Sequence, residues 1–167
     1  MLAPLRGERH HIFPLVTSAH QSPRIEGREF GASLSSKDSM THQPPGSVVA
    51  VVDDDQGILR SLEYLLESAD YAVRLFTSGA ELLDSGGLPE IDCLISDIDM
   101  PGMDGFELLR LVHAARPGLP TILITGYPDT LKRLPPVGGS SPRIFTKPFQ
   151  GPQLLAAVSD ALRYSRG

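Results

Sequence analysis

Cysteine is almost missing from this 167-residue chain, with Cys93 the single example. That excludes an internal disulfide and a cysteine metal cage, and it suits a reducing compartment. Set inside a run of strand-forming residues, the lone thiol reads as core packing. Long apolar runs are also missing. None approaches the roughly 18 residues that a bilayer crossing demands, and the N-terminus has no continuous apolar stretch of the kind a secretory signal carries. The expectation is a cytoplasmic protein with no membrane partner. Four of the five histidines, His10, His11, His20 and His42, fall in the first 46 residues, at spacings that fit no metal-ligand template. Positive charge is scarce where a core can form. Residues 1–46 hold five Lys/Arg against four Asp/Glu, and the remainder holds ten against sixteen, for a formal net charge of −5. An acidic body argues against sequence-independent binding to nucleic acid, so none is expected as a partner.

With hydrophobic residues at 41 %, the chain can build one ordinary domain, and a second would be cramped. Residues 1–46 are rich in Ser, Pro, Gly, Arg and His, with apolar residues scattered singly, and show neither helical nor strand periodicity. They read as a disordered extension. Ile25-Glu26-Gly27-Arg28 resembles a protease-cleavage linker, and Met40 lies where a true start codon would fit; either reading would leave this extension without function. Residues 47–167 are expected to form the folded domain.

From Ser47 onward strand and helix patterns alternate five times, which predicts an α/β fold with a parallel sheet covered on both faces. Strand one is Val48 to Asp53, an all-apolar run typical of a strand buried on both sides. Ile58, Leu62, Leu65, Leu66 and Ala69 then recur at helical spacing. Strand two is Ala72 to Phe76, followed by a short helix from Ala80 to Asp84 that Gly86-Gly87 stops. Strand three, Asp92 to Ser96, carries Asp97 at its tip. The third helix begins near Phe106, buries Leu108, Leu109, Leu111 and Val112, and ends before Pro117-Gly118. Strand four is Thr121 to Thr125 and strand five Ile144 to Thr146. The last helix starts at Pro152 and buries Leu154, Leu155, Val158 and Leu162.

Every candidate functional residue stands where a strand gives way to a loop, the edge at which open α/β sheets gather ligands. Asp53-Asp54-Asp55 ends the first run, Asp97 the third, Thr125-Gly126 the fourth, and Lys147-Pro148-Phe149 the fifth. Asp53, Asp54 and Asp97, crowded at adjacent strand ends, would repel one another and raise each other's pKa. A divalent cation resolves that conflict, and an all-oxygen donor set selects Mg²⁺, or Mn²⁺ in its place.

The joint order of Asp53-Asp54, Asp97, Met100-Pro101, Gly105, Thr125-Gly126 and Lys147-Pro148 resembles the receiver domain of bacterial two-component response regulators over roughly residues 47–164. Thr125-Gly126-Tyr127 is similar to the nitrogen-fixation-regulator branch. The resemblance implies a flavodoxin-like (βα)5 doubly wound sheet of strand order 2-1-3-4-5. It implies that Asp97 is the phosphoacceptor, a carboxylate nucleophile that becomes an acyl phosphate. Asp54 and Asp97 would bind the metal directly, Asp53 would hold a metal-bound water, and Asp99 would lend its backbone carbonyl. Lys147 would supply a second positive charge, and Thr125 a hydroxyl that turns toward the phosphoryl group after transfer, leaving Gly126 to keep that group open to water. Pro101 and Gly105 stand four and eight residues after Asp97, where the family pattern places a proline and a glycine, and the Lys147-Pro148 bond is cis in the family.

The implied role is phosphorelay signalling rather than enzymatic turnover. The donor would be a histidine kinase or histidine phosphotransfer protein and the output a protein contact with a downstream target. Because Gly167 follows the last helix closely, the expectation is a single-domain regulator, monomeric or a weak phosphorylation-dependent dimer. Two departures bear on the output. Residues 128–139 contain Pro135, Pro136, Gly138 and Gly139 and make a poor helix, so the fourth helix is expected to be cut to about two turns or to be mobile. Ile144 stands where the family usually carries an aromatic switch, with Phe145 on the other face of the strand. Two other functions compete: a phosphorylation-independent scaffold on the same fold, and a haloacid-dehalogenase-type phosphatase built on Asp97-Ile98-Asp99. Met100-Pro101 after the second acid speaks against the phosphatase.

Overall fold

The computed structural model describes residues 46–134 and 141–165. The expected extension, with its histidines, the Ile25–Arg28 stretch and Met40, lies outside the described residues, as do Pro135, Pro136, Gly138 and Gly139. Five strands form one parallel sheet: β1 (Val48–Val52), β2 (Ala72–Phe76), β3 (Cys93–Asp97), β4 (Thr121–Thr125) and β5 (Arg143–Thr146). Their order is β2-β1-β3-β4-β5, as the resemblance implied. Among the described residues four α-helices accompany them: α1 (Gln56–Glu67), α2 (Gly79–Asp84), α3 (Gly105–Ala115) and α4 (Gly151–Tyr164).

The sheet's period of two divides the core. Val49, Val51, Cys93, Ile95, Ile122 and Ile124 face α1 and α4, meeting Leu59, Leu62, Leu66, Leu154, Val158 and Leu162. Ala50, Val52 and Leu94 face the other way, onto Leu82 of α2 and Leu108 and Val112 of α3. Ile98, Phe106, Leu109 and Leu123 extend that second layer. Cys93 is fully buried, in the core role the sequence suggested. Leu111 and Leu155, expected inside, are only partly buried at the margins of their helices.

The helix starts correct the sequence reading in one consistent way. α2, α3 and α4 each begin at a glycine, one residue before the expected start. Glycine is a poor helix former and sequence periodicity passes over it, yet at α2 and α3 a preceding side-chain cap makes it helical, whereas Gln150 before α4 makes no such bond. Ser78 accepts from the Glu81 amide and Asp104 from the Glu107 amide. At the strands, β1 stops at Val52 rather than Asp53, and β3 runs from Cys93 through Asp97. The fourth helical position is short and irregular, as expected: among the described residues Pro128–Arg133 forms a six-residue 3₁₀ segment, about two turns long.

Candidate functional site

In a parallel sheet every strand finishes at the same edge, so register alone decides which termini become neighbours. Val52 pairs with Ser96, Asp97 with Ile124, and Thr125 with Thr146. One residue further along these rows stand Asp53, Asp97, Thr125 and Lys147, drawn from positions up to 94 apart in the chain.

Lys147 is the hub. Its Nζ donates to Asp97 Oδ1 at 2.7 Å and to Asp53 Oδ2 at 3.3 Å. The two carboxylate side chains are only 5 % and 3 % exposed, while the lysine keeps 28 %, so the ammonium forms the open face of a buried acidic pair. The remaining carboxylate oxygens are held by the backbone: Asp53 Oδ1 accepts from the Asp55 amide at 2.8 Å, and Asp97 Oδ2 from the Asp99 amide at 2.8 Å. These bonds orient both acids and satisfy part of the demand that burial creates. Burial is the largest influence on Asp53 and raises its pKa above the ordinary carboxylate value. The Asp55 amide and Lys147 pull it back, and the neighbouring charge of Asp97 adds to the rise. For Lys147, burial disfavours the ammonium, but the hydrogen bond to Asp97 and the charges of Asp53 and Asp97 outweigh it, and its pKa lies above the ordinary lysine value. The Lys147-Pro148 peptide is cis.

Asp54, the third acid of the expected cation site, is exposed, and among the described residues no three acidic, histidine or cysteine side chains converge as a ready metal cage. The donor chemistry nonetheless fits a hard divalent cation. Two buried carboxylates share one ammonium, the cluster keeps net negative charge, and its donors are oxygens alone. Asp55, beyond the pair, accepts from the Gly57 and Ile58 amides and caps α1. The three consecutive acids therefore divide into a buried member, an exposed member and a cap.

Thr125 is fully buried and its hydroxyl is engaged by Asp99 and Tyr127. Oγ1 donates to Asp99 Oδ2 at 2.5 Å, with Tyr127 O at 3.2 Å, and accepts from the Tyr127 amide at 2.9 Å. The other Asp99 oxygen accepts from Thr130 Oγ1 at 3.1 Å. Sequence reasoning passed over Thr130, since a threonine in an irregular segment carries no signal of its own. Gly105 occupies the tightest point of the loop. A Cβ there would meet Asp97 O at 2.4 Å and the Ile98 Cα at 2.7 Å. At the margin, Ile144 packs toward Phe106 and Leu109, while Phe145 packs on the α1 and α4 side and meets Phe149 edge to face at 6.1 Å. The two residues take opposite faces as alternation requires.

Residues 49–159 match the family described as response regulator receiver domain. Over 115 residues the chain is 33 % identical to the transcriptional regulatory protein FixJ of Bradyrhizobium diazoefficiens, covering 69 % of this chain and 56 % of that protein. It is 34 % identical over 119 residues to FixJ of Azorhizobium caulinodans, covering 71 % and 56 %. The chain thus spans a little over half the length of these curated relatives. Among solved structures, the signal receiver domain of an HD domain-containing protein from Pseudomonas fluorescens Pf-5 superposes with a TM-score of 0.66 at 30 % identity, covering 72 % of this chain and 97 % of that one.

Proposed function

Because the chain belongs to the response regulator receiver domain family of two-component signalling, we propose that it accepts a phosphoryl group on Asp97 from a histidine kinase or a histidine phosphotransfer protein. The observation that carries this reading is the contact of Lys147 Nζ with Asp97 Oδ1 at 2.7 Å, at an edge where Asp97 is held in place yet borders an exposed face.

The chemistry is a displacement at phosphorus. A carboxylate oxygen of Asp97 attacks, an O–P bond forms, the P–N bond of the phosphohistidine breaks, and the imidazole nitrogen leaves and takes a proton from solvent. Lys147 lies beside the attacked carboxylate, where it stabilises negative charge on the phosphoryl oxygens and on the acyl phosphate. Asp53 helps to fix the ammonium from the other side. A bound Mg²⁺ or Mn²⁺ would screen the approach of one anion to another, with Asp54, Asp97 and the Asp99 carbonyl as its direct protein ligands and Asp53 holding a metal-bound water. Thr125 supplies a hydroxyl that can turn to the phosphoryl group. Steady turnover is not part of this reading, which allows at most slow hydrolysis of the protein's own acyl phosphate.

Output through protein contact belongs to the same proposal, in a cytoplasmic setting and with a monomer or a weak phosphorylation-dependent dimer. Among the described residues no helix is long and apolar enough to cross a membrane. The short 3₁₀ segment favours an altered output surface, because among the described residues the fourth helical position is held by Pro128–Arg133. Size-exclusion chromatography with and without a phosphoryl mimic checks that part: robust phosphorylation-dependent dimerisation would count against it.

The decisive experiment is phosphorylation by acetyl phosphate or phosphoramidate with Mg²⁺, read by intact mass. One added phosphoryl group that disappears in Asp97→Asn is the expected result. Absence of any adduct on the folded wild-type chain would overturn the reading and leave the phosphorylation-independent scaffold in its place.

A further inference from the structure

Asp99 touches both ends of the proposed reaction. Its amide holds Asp97 Oδ2 at 2.8 Å, while its carboxylate holds the hydroxyl of Thr125 at 2.5 Å and that of Thr130 at 3.1 Å. A threonine hydroxyl has a single proton. In this structure the Thr125 proton has an ionised acceptor at the short end of the range for such bonds, far better than the Tyr127 carbonyl at 3.2 Å. A phosphoryl oxygen on Asp97 can receive it only if Asp99 gives it up. The second oxygen of the same carboxylate reaches Thr130, inside the 3₁₀ segment Pro128–Arg133, so one side chain joins the end of β4 to the segment that follows.

We propose that Asp99 is a positioning residue that latches Thr125: its carboxylate competes with the phosphoryl group for the Thr125 proton, and through Thr130 it carries the release to Pro128–Arg133. The inference rests on the receiver reading above and adds to it a residue of this chain that sets the cost of the switch. A net preference typical of a hydrogen bond to a charged acceptor corresponds to about tenfold or more in the ratio of held to released hydroxyl.

The Tyr127 amide, which donates to Thr125 Oγ1 at 2.9 Å, is a built-in reporter of that hydroxyl. The test is a titration of the full ¹⁵N-labelled chain with beryllium fluoride at saturating Mg²⁺, following the amides of Tyr127, Leu131 and Lys132. In the wild type all three are expected to move with one midpoint. In Asp99→Ala the Tyr127 resonance is expected to be displaced before any mimic or metal is added, the midpoint to fall about tenfold, and Leu131 and Lys132 to stop following. Asp99→Asn, which keeps an acceptor oxygen but not the charge, is expected to give a midpoint between those of the wild type and Asp99→Ala and to keep part of the joint movement. Thr130→Val removes the hydroxyl that Asp99 Oδ1 holds and leaves the Asp99 bond to Thr125 available; it is expected to keep the Tyr127 midpoint within about twofold while silencing Leu131 and Lys132.

A midpoint for Asp99→Ala within twofold of wild type, or an unmoved Tyr127 resonance in the unliganded variant, overturns the latch. So does equal behaviour of Asp99→Asn and Asp99→Ala, which would reduce the effect to charge. Continued movement of Leu131 and Lys132 in Thr130→Val overturns the coupling to the segment. A folded wild-type chain that does not respond to beryllium fluoride sinks the receiver reading itself, and the latch with it.

Discussion

Replacing Gly105 by alanine adds one methyl group at the point where α3 presses against the loop that carries the phosphoacceptor. The added carbon would lie 2.4 Å from the Asp97 carbonyl oxygen and 2.7 Å from the Ile98 Cα, and both are backbone atoms with no rotamer to yield. The Gly105 amide also donates to Ile98 O at 2.9 Å, so helix and loop cannot part without losing that bond. Overpacking of this kind costs about 1–3 kcal/mol, and a rigid partner favours the upper half of that range. Alanine's better helix propensity offsets at most about 1 kcal/mol, and less at a first helical position. The net expectation is a loss of about 2 kcal/mol, which for a domain of this size lowers Tm by about 8 °C. The proper control is Gly118→Ala, where a Cβ meets nothing within 4 Å and stability should hold within about 0.5 kcal/mol. Urea or thermal denaturation of both variants, paired with phosphoramidate labelling, is the assay. Relief of the clash must shift Asp97 against Lys147, so labelling of Gly105→Ala should slow even well below its Tm. Equal melting of the two variants, or full labelling of Gly105→Ala, would refute the close-approach reasoning.

Lys147→Met, studied with a chelator present, removes the ammonium between two buried carboxylates and should cost about 3 kcal/mol at neutral pH. Asp53 has a raised pKa, so its burial favours the protonated form: stability from this group is present at low pH and is lost as pH rises through the folded pKa. The deficit of Lys147→Met should therefore shrink on acidification toward the carboxylate range, and a urea series across pH that shows a constant deficit would contradict it. Burial pushes the Cys93 thiol up to about 12. A thiol-reactive dye should leave it untouched in the native state and label it on unfolding. This group's contribution to stability should be lost as pH rises from the ordinary thiol value of 9.0 toward about 12.

The parallel sheet was legible because burial on both faces demands near-continuous apolar runs. Val48–Val52, Cys93–Ser96 and Thr121–Thr125 are such runs, and they deliver Asp53, Asp97 and Thr125 to the edge. The helices were legible except at their starts, where Gly79, Gly105 and Gly151 depend on the cap before them or on local packing rather than on propensity. The short fourth helical element was legible as well: Pro128–Arg133 makes a 3₁₀ segment of about two turns, while Pro135, Pro136, Gly138 and Gly139 lie outside the described residues.

What one strand end does with another is a different kind of information. Asp53, Asp97 and Lys147 could be named from the chain, but register and loop path decide that one ammonium reaches both acids while Asp54 stays exposed. The same holds for Asp99. Its position after Asp97 was read for a backbone carbonyl, whereas its carboxylate turns to Thr125 and Thr130, which lie 26 and 31 residues away. Gly105 was expected from its place in a pattern, and only the packing of α3 on the loop shows that a methyl group has no room there. Sequence by itself determined which residues stand at the edge, because hydrophobic burial is a property of runs. Tertiary structure decided which of them share a proton, because hydrogen bonding depends on direction and on distances of a few tenths of an ångström, set by groups remote in the chain.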